Sequence, residues 1–183
     1  EILEGGLAPG ATVMSWRGVQ GGQAAAAMGH DVVMSPRTYL YLDYPQFEAP
    51  DGFAYFRVRV NSCEHILSFN PVEGIPAQRQ KHVLGIQGNL WGESCFNGAD
   101  AEWKLFPRAA AIAERAWSPN AKVTWASFER RAPEIRARLK AMGLNAAPLR
   151  EPAWYRPVAG WKTGEQSDVW AAREWDVTRG IPA

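Results

Sequence analysis

Five side chains carry the chemistry this sequence offers: the indoles of Trp16 and Trp91, the phenol of Tyr41 and the carboxylates of Asp43 and Glu93. An indole beside carboxylates suits a pyranose ring, whose C–H face packs on the aromatic face while its hydroxyls seek hydrogen-bond acceptors. Trp16 follows the short apolar run ATVMS at 11–15. Tyr41 and Asp43 lie in TYLYLDY at 38–44, two residues apart, so an extended segment would put them on one face. Leu40, Leu42 and Tyr44 would take the other. Trp91 and Glu93 end the stretch HVLGIQGNLWGES at 82–94, which begins apolar and turns glycine-rich at Gly85, Gly88 and Gly92. Packing alone is the competing reading of the three tyrosines.

The elements that must hold these groups follow from periodicity and punctuation. A short apolar run bounded by glycine reads as a buried strand, which places strands at 11–16, at Val32–Met34 and from Val83 onward. QAAAAM at 23–28 is helical, because alanine loses no side-chain freedom there, with Gly29 as its terminator. Pro36 ends the second strand. A loop at 45–59, with Phe47, Phe53, Tyr55 and Phe56, has the character of a site wall or lid. CEHILSF at 63–69 predicts a short helix, and 71–80 a loop. The spacing of Leu105, Ala109, Ile112, Ala113 and Ala116 predicts a helix over 100–117, with Pro107 as a kink or first turn. Another helix over 124–142 starts at an N-cap Thr124 and ends before Gly143, with Pro133 demanding a kink or a shifted start. His30 and His82 stand at strand starts and read as structural. His65 falls on a surface helix. Gln87 and Asn89 read as partners of the turn rather than of a ligand.

The chain has 183 residues, 46% apolar and 21% charged, with net charge +1, the profile of a soluble globular domain with a real core. The charge balance and the lack of a basic stripe argue against nucleic acid. No apolar run approaches the roughly 20 residues needed to span a bilayer. Cys63 and Cys95 read as unpaired thiols, and their spacing has no matching histidines for a zinc site. No metal and no cofactor is expected. The chain opens at Glu1 without a methionine and reads as part of something longer.

Strand–helix units in series argue for a parallel α/β fold. From pattern alone, a doubly wound sheet and a (β/α)8 barrel both remain open. No glycine-rich nucleotide motif is present. Three strands are too few for a closed barrel, so a barrel would require this chain to be its C-terminal part.

VMSWRGVQGG at 13–22, GHDVVMSP at 29–36, YLDY at 41–44, LGIQGNLWGE at 84–93 and PRAAAIAERAW at 107–117, in this order, resemble the C-terminal part of the catalytic barrel of family 20 glycoside hydrolases, the β-N-acetylhexosaminidases. The resemblance runs to about Gly143. It implies residues 1–146 as about strands 6 to 8 of a (β/α)8 barrel, incomplete in this chain; the tail at 147–183, rich in Trp, Pro and charge and without a clean period, lies outside the resemblance and reads as a packed extension or the start of a linker. It also implies removal of terminal β-linked N-acetylglucosamine or N-acetylgalactosamine by substrate-assisted retention, in which the substrate's own acetamide attacks the anomeric carbon. Tyr41 would donate to the acetamide oxygen, Trp16 and Trp91 would enclose the acetamide and the ring, and Asp43 and Glu93 would accept hydrogen bonds from sugar hydroxyls. The family's Asp-Glu catalytic pair is absent, since no Asp-Glu dipeptide occurs here. The partner would be a glycan or small molecule ending in N-acetylhexosamine, and the location periplasmic or secreted. Three alternatives remain: a non-catalytic carbohydrate-binding fragment or inactive paralogue, a plain soluble α/β scaffold, and a conventional retaining pair made of Asp43 and Glu93, about 5 Å apart.

Overall fold

The structure is a computed structural model and describes residues 3–47, 60–92, 95 and 97–150. It is α/β, built on a parallel sheet of order β1-β2-β3, with β1 at Val13–Ser15, β2 at Val32–Met34 and β3 at Val83–Ile86. Helix α1 (Gln20–Met28) returns the chain from β1 to β2. It begins earlier than the alanine run because Gly21 and Gly22 join its first turn. A side chain at Gly22 would collide with Met34 Sδ and come within 3.0 Å of Ser15 Cβ, so glycine there lets the helix lie against the strands. Gly29 ends α1 in the left-handed region, at φ 91°.

Residues 38–44 correct the expectation of an extended segment. After Pro36 the chain makes one helical turn, α2 (Arg37–Leu40). The N–H groups of Tyr39 and Leu40 both bond to the Pro36 carbonyl, at 2.9 Å each. Only at Tyr41 does the backbone extend, into an isolated parallel bridge with Asn89. Leu40, Leu42 and Tyr44 are buried as the alternation implied, but Tyr41 is buried too, at 8% exposure. Two-residue alternation failed here because the segment is a helical turn followed by a bend.

Helix α3 (Cys63–Ser68) is capped by Ser62, whose side chain accepts from the His65 N–H. His65 is only half-buried on its helix, stacking on Tyr39 with ring centroids 4.4 Å apart and bonding to the Thr38 carbonyl at 2.7 Å. Within the expected loop at 71–80, a 3-10 turn starts at Ala77 and leads through His82 into β3. The single helix expected over 100–117 is two helices, α4 (Gly98–Leu105) and α5 (Arg108–Trp117). Pro107, preceded by a cis peptide bond, divides them, since it has no N–H for the ladder. Helix α6 (Trp125–Ala141) is capped by Thr124, whose side chain accepts from the Ser127 N–H, and it is continuous through Pro133. Gly143 follows at φ 79°.

Val13, Val32, Met34, Leu40, Leu42, Ile66, Phe128 and Ala132 belong to one core that unites the sheet with helices α1, α3, α5 and α6. The opposite sheet face is open among the described residues. Met14, between buried Val13 and Ser15, is 47% exposed. Leu84, 60% exposed, is the extra residue where β2 and β3 slip register, Val32 facing Val83 and Val33 facing Gly85.

Ser15 links this packing to the first strand end. Its hydroxyl donates to the Gly18 carbonyl at 2.7 Å and accepts from the buried Gly22 N–H at 2.9 Å, fixing the turn that carries Trp16. Ser15→Ala strands that N–H without a partner. We expect a loss of about 1–3 kcal/mol, measured by urea unfolding; an unchanged midpoint would contradict this role for Ser15.

Candidate active site

The three strands end side by side, and the residues just past them form the candidate site. Met34 and Ile86 pair at the ends of β2 and β3, and the Gln87 N–H bonds to the Met34 carbonyl at 3.0 Å. The side chains that follow cross-link the two ends. Ser35 Oγ donates to the Gln87 carbonyl at 2.8 Å, Asn89 Nδ2 donates to Ser35 Oγ at 2.8 Å, and Gln87 Nε2 donates to Asn89 Oδ1 at 2.7 Å. Gln87 and Asn89 thus hold the turn, as their sequence context suggested. Asn89 then fixes Tyr41 through its backbone: its N–H bonds to the Leu40 carbonyl at 2.9 Å, and its carbonyl accepts from the Leu42 N–H at 2.6 Å. Gly88 makes this approach possible, since a Cβ there would stand 2.5 Å from Ile112 Cδ1.

Tyr41 and Trp91, 50 residues apart in sequence, meet at this point. Their ring centroids are 5.9 Å apart and tilted by 53°, and Tyr44 stands 5.7 Å beyond Tyr41 at 58°. The Trp91 indole remains 45% exposed. A half-open indole backed by a buried phenol offers an apolar plane with a polar group at its edge. Trp16 lies at the end of β1, two strands from β3 and at the same end of the sheet as Trp91, 42% exposed, with the Arg17 guanidinium 5.1 Å over its ring. Its carbonyl accepts from the Arg37 N–H at 2.8 Å. Asp43 is half-buried in the turn after Tyr41. Burial pushes the Tyr44 phenol up from its ordinary value, Arg37 opposes this, and the Asp43 charge and Tyr41 add to it. Tyr44 therefore keeps its proton. Glu93 lies outside the described residues.

Sequence reasoning missed the groups beneath this turn. Arg108, the first residue of α5, is fully buried. Its Nη1 donates to the Tyr44 carbonyl at 2.8 Å and to the Asn61 carbonyl at 3.2 Å. Its Nη2 donates to the Leu42 carbonyl and, at 2.7 Å, to the Lys104 carbonyl; Nε reaches the same Lys104 oxygen at 2.9 Å. Burial lowers the guanidinium pKa to about 10, while Cys63 and the Asp43 carboxylate favour its charged form. It is a cation at neutral pH. Buried Asn61 adds Nδ2 bonds to the carbonyls of Tyr41 at 3.0 Å and Arg37 at 3.1 Å. One signal was available in the sequence. Arg108, Ala111 and Arg115 are the buried positions of α5, at helical spacing, so arginine interrupts an otherwise small apolar face.

His82 bonds through Nδ1 to Asp31 Oδ1 at 3.1 Å, where the chain enters β2 and β3, at the end of the sheet away from the site. Among the described residues no group of three or more His, Cys, Asp or Glu side chains could hold a metal ion, and no helix is long and apolar enough to cross a membrane. Cys63 and Cys95 are free thiols.

A parallel α/β chain that presents aromatic and carboxylate side chains just past its strand ends has the layout of an α/β enzyme domain. The model of the glycosyl hydrolase family 20 catalytic domain matches residues 1–120, and the chain belongs to that family. A beta-hexosaminidase of Porphyromonas gingivalis is 43% identical over 153 residues, covering 79% of this chain and 19% of that protein. A chitooligosaccharidolytic beta-N-acetylglucosaminidase of Ostrinia furnacalis is 33% identical over 132 residues, covering 69% of this chain and 20% of that protein. Among solved structures, the exo beta-N-acetylglucosaminidase of Vibrio harveyi in complex with N-acetylglucosamine superposes with a TM-score of 0.65 at 26% identity, covering 79% of this chain and 22% of that one. The chain thus spans about a fifth of the length of these relatives.

The thiols give a direct check on the packing beneath the site. Burial pushes the Cys63 thiol up to about 12 and also raises Cys95, which is less enclosed. Alkylation requires the thiolate. At pH 8 iodoacetamide is expected to modify Cys95 well before Cys63 in folded protein, and both at similar rates in urea. Mass spectrometry of the labelled peptides reads this, and equal rates in the folded state would contradict the buried position of Cys63.

Proposed function

We propose that this chain forms about strands 6 to 8 of a (β/α)8 barrel and supplies the substrate-binding half of a β-N-acetylhexosaminidase site. The open sheet face supports the barrel reading. Parallel sheets are ordinarily covered on both faces, and Met14 and Leu84 would there be enclosed by the remaining strands. The observation that carries the functional reading is the meeting of Tyr41 and Trp91, with Asp43 in the same turn.

In this reading a terminal N-acetylhexosamine lays the apolar face of its ring on Trp91, and Trp16 helps enclose the ring and acetamide. The Tyr41 hydroxyl donates to the acetamide oxygen. It holds that oxygen on the anomeric carbon and supports the charge that changes there as the oxazolinium ring forms. Asp43 and Glu93 accept from the sugar hydroxyls, a charge-assisted contact that fixes the terminal residue. The general acid and base come from the Asp-Glu pair expected elsewhere in the full-length protein, in the periplasm or outside the cell. The N-acetylglucosamine bound to the Vibrio harveyi relative supports the substrate class.

Kinetics of the full-length protein on a chromogenic β-N-acetylglucosaminide test this reading. Removing one positioned donor by Tyr41→Phe is expected to lower kcat about 10²–10³-fold with little change in KM. Asp43→Asn is expected chiefly to raise KM. Loss of the chemical step in Asp43→Asn, with binding intact, would instead favour Asp43 and Glu93 as a conventional retaining pair. The 183-residue chain alone is expected to show no turnover. Robust hydrolysis by it would overturn the assignment of the acid and base to other segments.

A further inference from the structure

We propose that Arg108 and Asn61 are positioning residues for the glycosidase site, a buried clamp in which Arg108 sets Asp43 and Asn61 sets Tyr41. This rests on the functional reading above and adds to it two residues that touch no substrate.

The division of labour follows from which carbonyls each side chain holds. Arg108 grips the carbonyls of Leu42 and Tyr44, the residues on either side of Asp43. The Leu42 carbonyl belongs to the peptide group entering Asp43 and the Tyr44 carbonyl to the one leaving Tyr44, so the turn is pinned on both sides of Asp43 and its Cα–Cβ direction is restrained. The same guanidinium is bonded to Lys104 and Asn61, so the turn is tied to α4 and to the segment entering α3. Asn61 holds the carbonyls of Tyr41 and Arg37, the two ends of the turn that delivers Tyr41. The opposite side of Tyr41 is held by the Asn89 backbone.

Chemistry explains the residue types. Residues 41–44 form a bend outside any helix or sheet ladder, and buried carbonyls there need donors from side chains. Guanidinium offers five N–H groups in a rigid plane and can serve four carbonyls at once. A lysine ammonium has three donors at one point and cannot span them. Asparagine at 61 supplies two N–H groups without a charge. The Asp43 carboxylate in turn favours the charged form of Arg108.

The test is a pair of double-mutant cycles in the full-length protein, with kcat and KM measured separately on the chromogenic glycoside. A residue that acts only through another adds nothing once that other is gone, whereas a general structural defect multiplies. Arg108→Lys alone is expected to raise KM about tenfold, roughly the worth of one charge-assisted hydrogen bond, but by less than about twofold in an Asp43→Asn background. Asn61→Ala alone is expected to lower kcat about tenfold, and by less than about twofold in Tyr41→Phe. Cross pairs, Arg108→Lys with Tyr41→Phe and Asn61→Ala with Asp43→Asn, are expected to multiply. Circular dichroism and melting temperature identify folded variants. If Arg108→Lys does not fold, the Asn61 cycle decides alone, and if neither folds, the clamp belongs to folding and the proposal is overturned. Multiplicative losses in the matched pairs overturn it as well. The functional reading fails separately, and takes the clamp with it, if Tyr41→Phe and Asp43→Asn each leave both constants unchanged.

Discussion

One buried cation, Arg108, supports the turn that carries Tyr41 and Asp43. Arg108 sits under an irregular turn whose carbonyls have no ladder to join, and its guanidinium donates to those of Leu42, Tyr44, Asn61 and Lys104. Burying an ion in a protein interior is expensive unless its hydrogen-bonding capacity is met. Here every donor nitrogen of the side chain has a carbonyl, and the Asp43 carboxylate lies near enough to favour the charge. The arrangement converts a desolvation cost into shape. The turn that carries Tyr41, Asp43 and Tyr44 is irregular in backbone yet tied at Tyr41, Leu42 and Tyr44, which is what a binding group on a loop requires if it is to be held as firmly as one on a strand.

The sheet works with that clamp from the other side. The side chains of Ser35 and Asn89 and the carbonyl and side chain of Gln87 join the ends of β2 and β3, and the Asn89 backbone passes the alignment to Tyr41. Tyr41 is therefore fixed twice, by Asn89 as an extension of the sheet and by Asn61 from below. Trp91 follows Asn89 by two residues, so the bridge that locates the phenol also sets the indole beside it. Small residues make the convergence possible. Gly22 lets α1 lie on the strands, and Gly88 lets β3's turn approach α5.

What could be read in advance follows the range of the interactions involved. Val32–Met34 as a strand, the Gly29 terminator and the Thr124 cap depend on neighbours in sequence, and each was legible. Periodicity misjudged 38–44, where Pro36 starts a helical turn that alternation cannot distinguish from a strand over so few residues. It also ran one helix across Pro107, because the apolar spacing continues on both sides of the break. In the site, residue type and position at strand ends pointed to Trp16, Tyr41, Asp43 and Trp91. Arg108 and Asn61 went unseen because, the Lys104 carbonyl aside, their partners are carbonyl groups 20 to 66 residues away, and carbonyls carry no signature in sequence. Membership of glycosyl hydrolase family 20, suggested by the order of the motifs, is shown by the match of its catalytic-domain model over residues 1–120.

In the function we propose, the Tyr41–Trp91 corner, with Asp43 beside it, receives a terminal N-acetylhexosamine. A crystal structure of the full-length protein soaked with N-acetylglucosamine tests it most directly. We expect the sugar ring against the Trp91 indole, the acetamide oxygen within about 3 Å of the Tyr41 hydroxyl, and the Asp43 carboxylate on a ring hydroxyl. A sugar bound away from this corner, or one with the Asp43 carboxylate against its anomeric carbon, would contradict it.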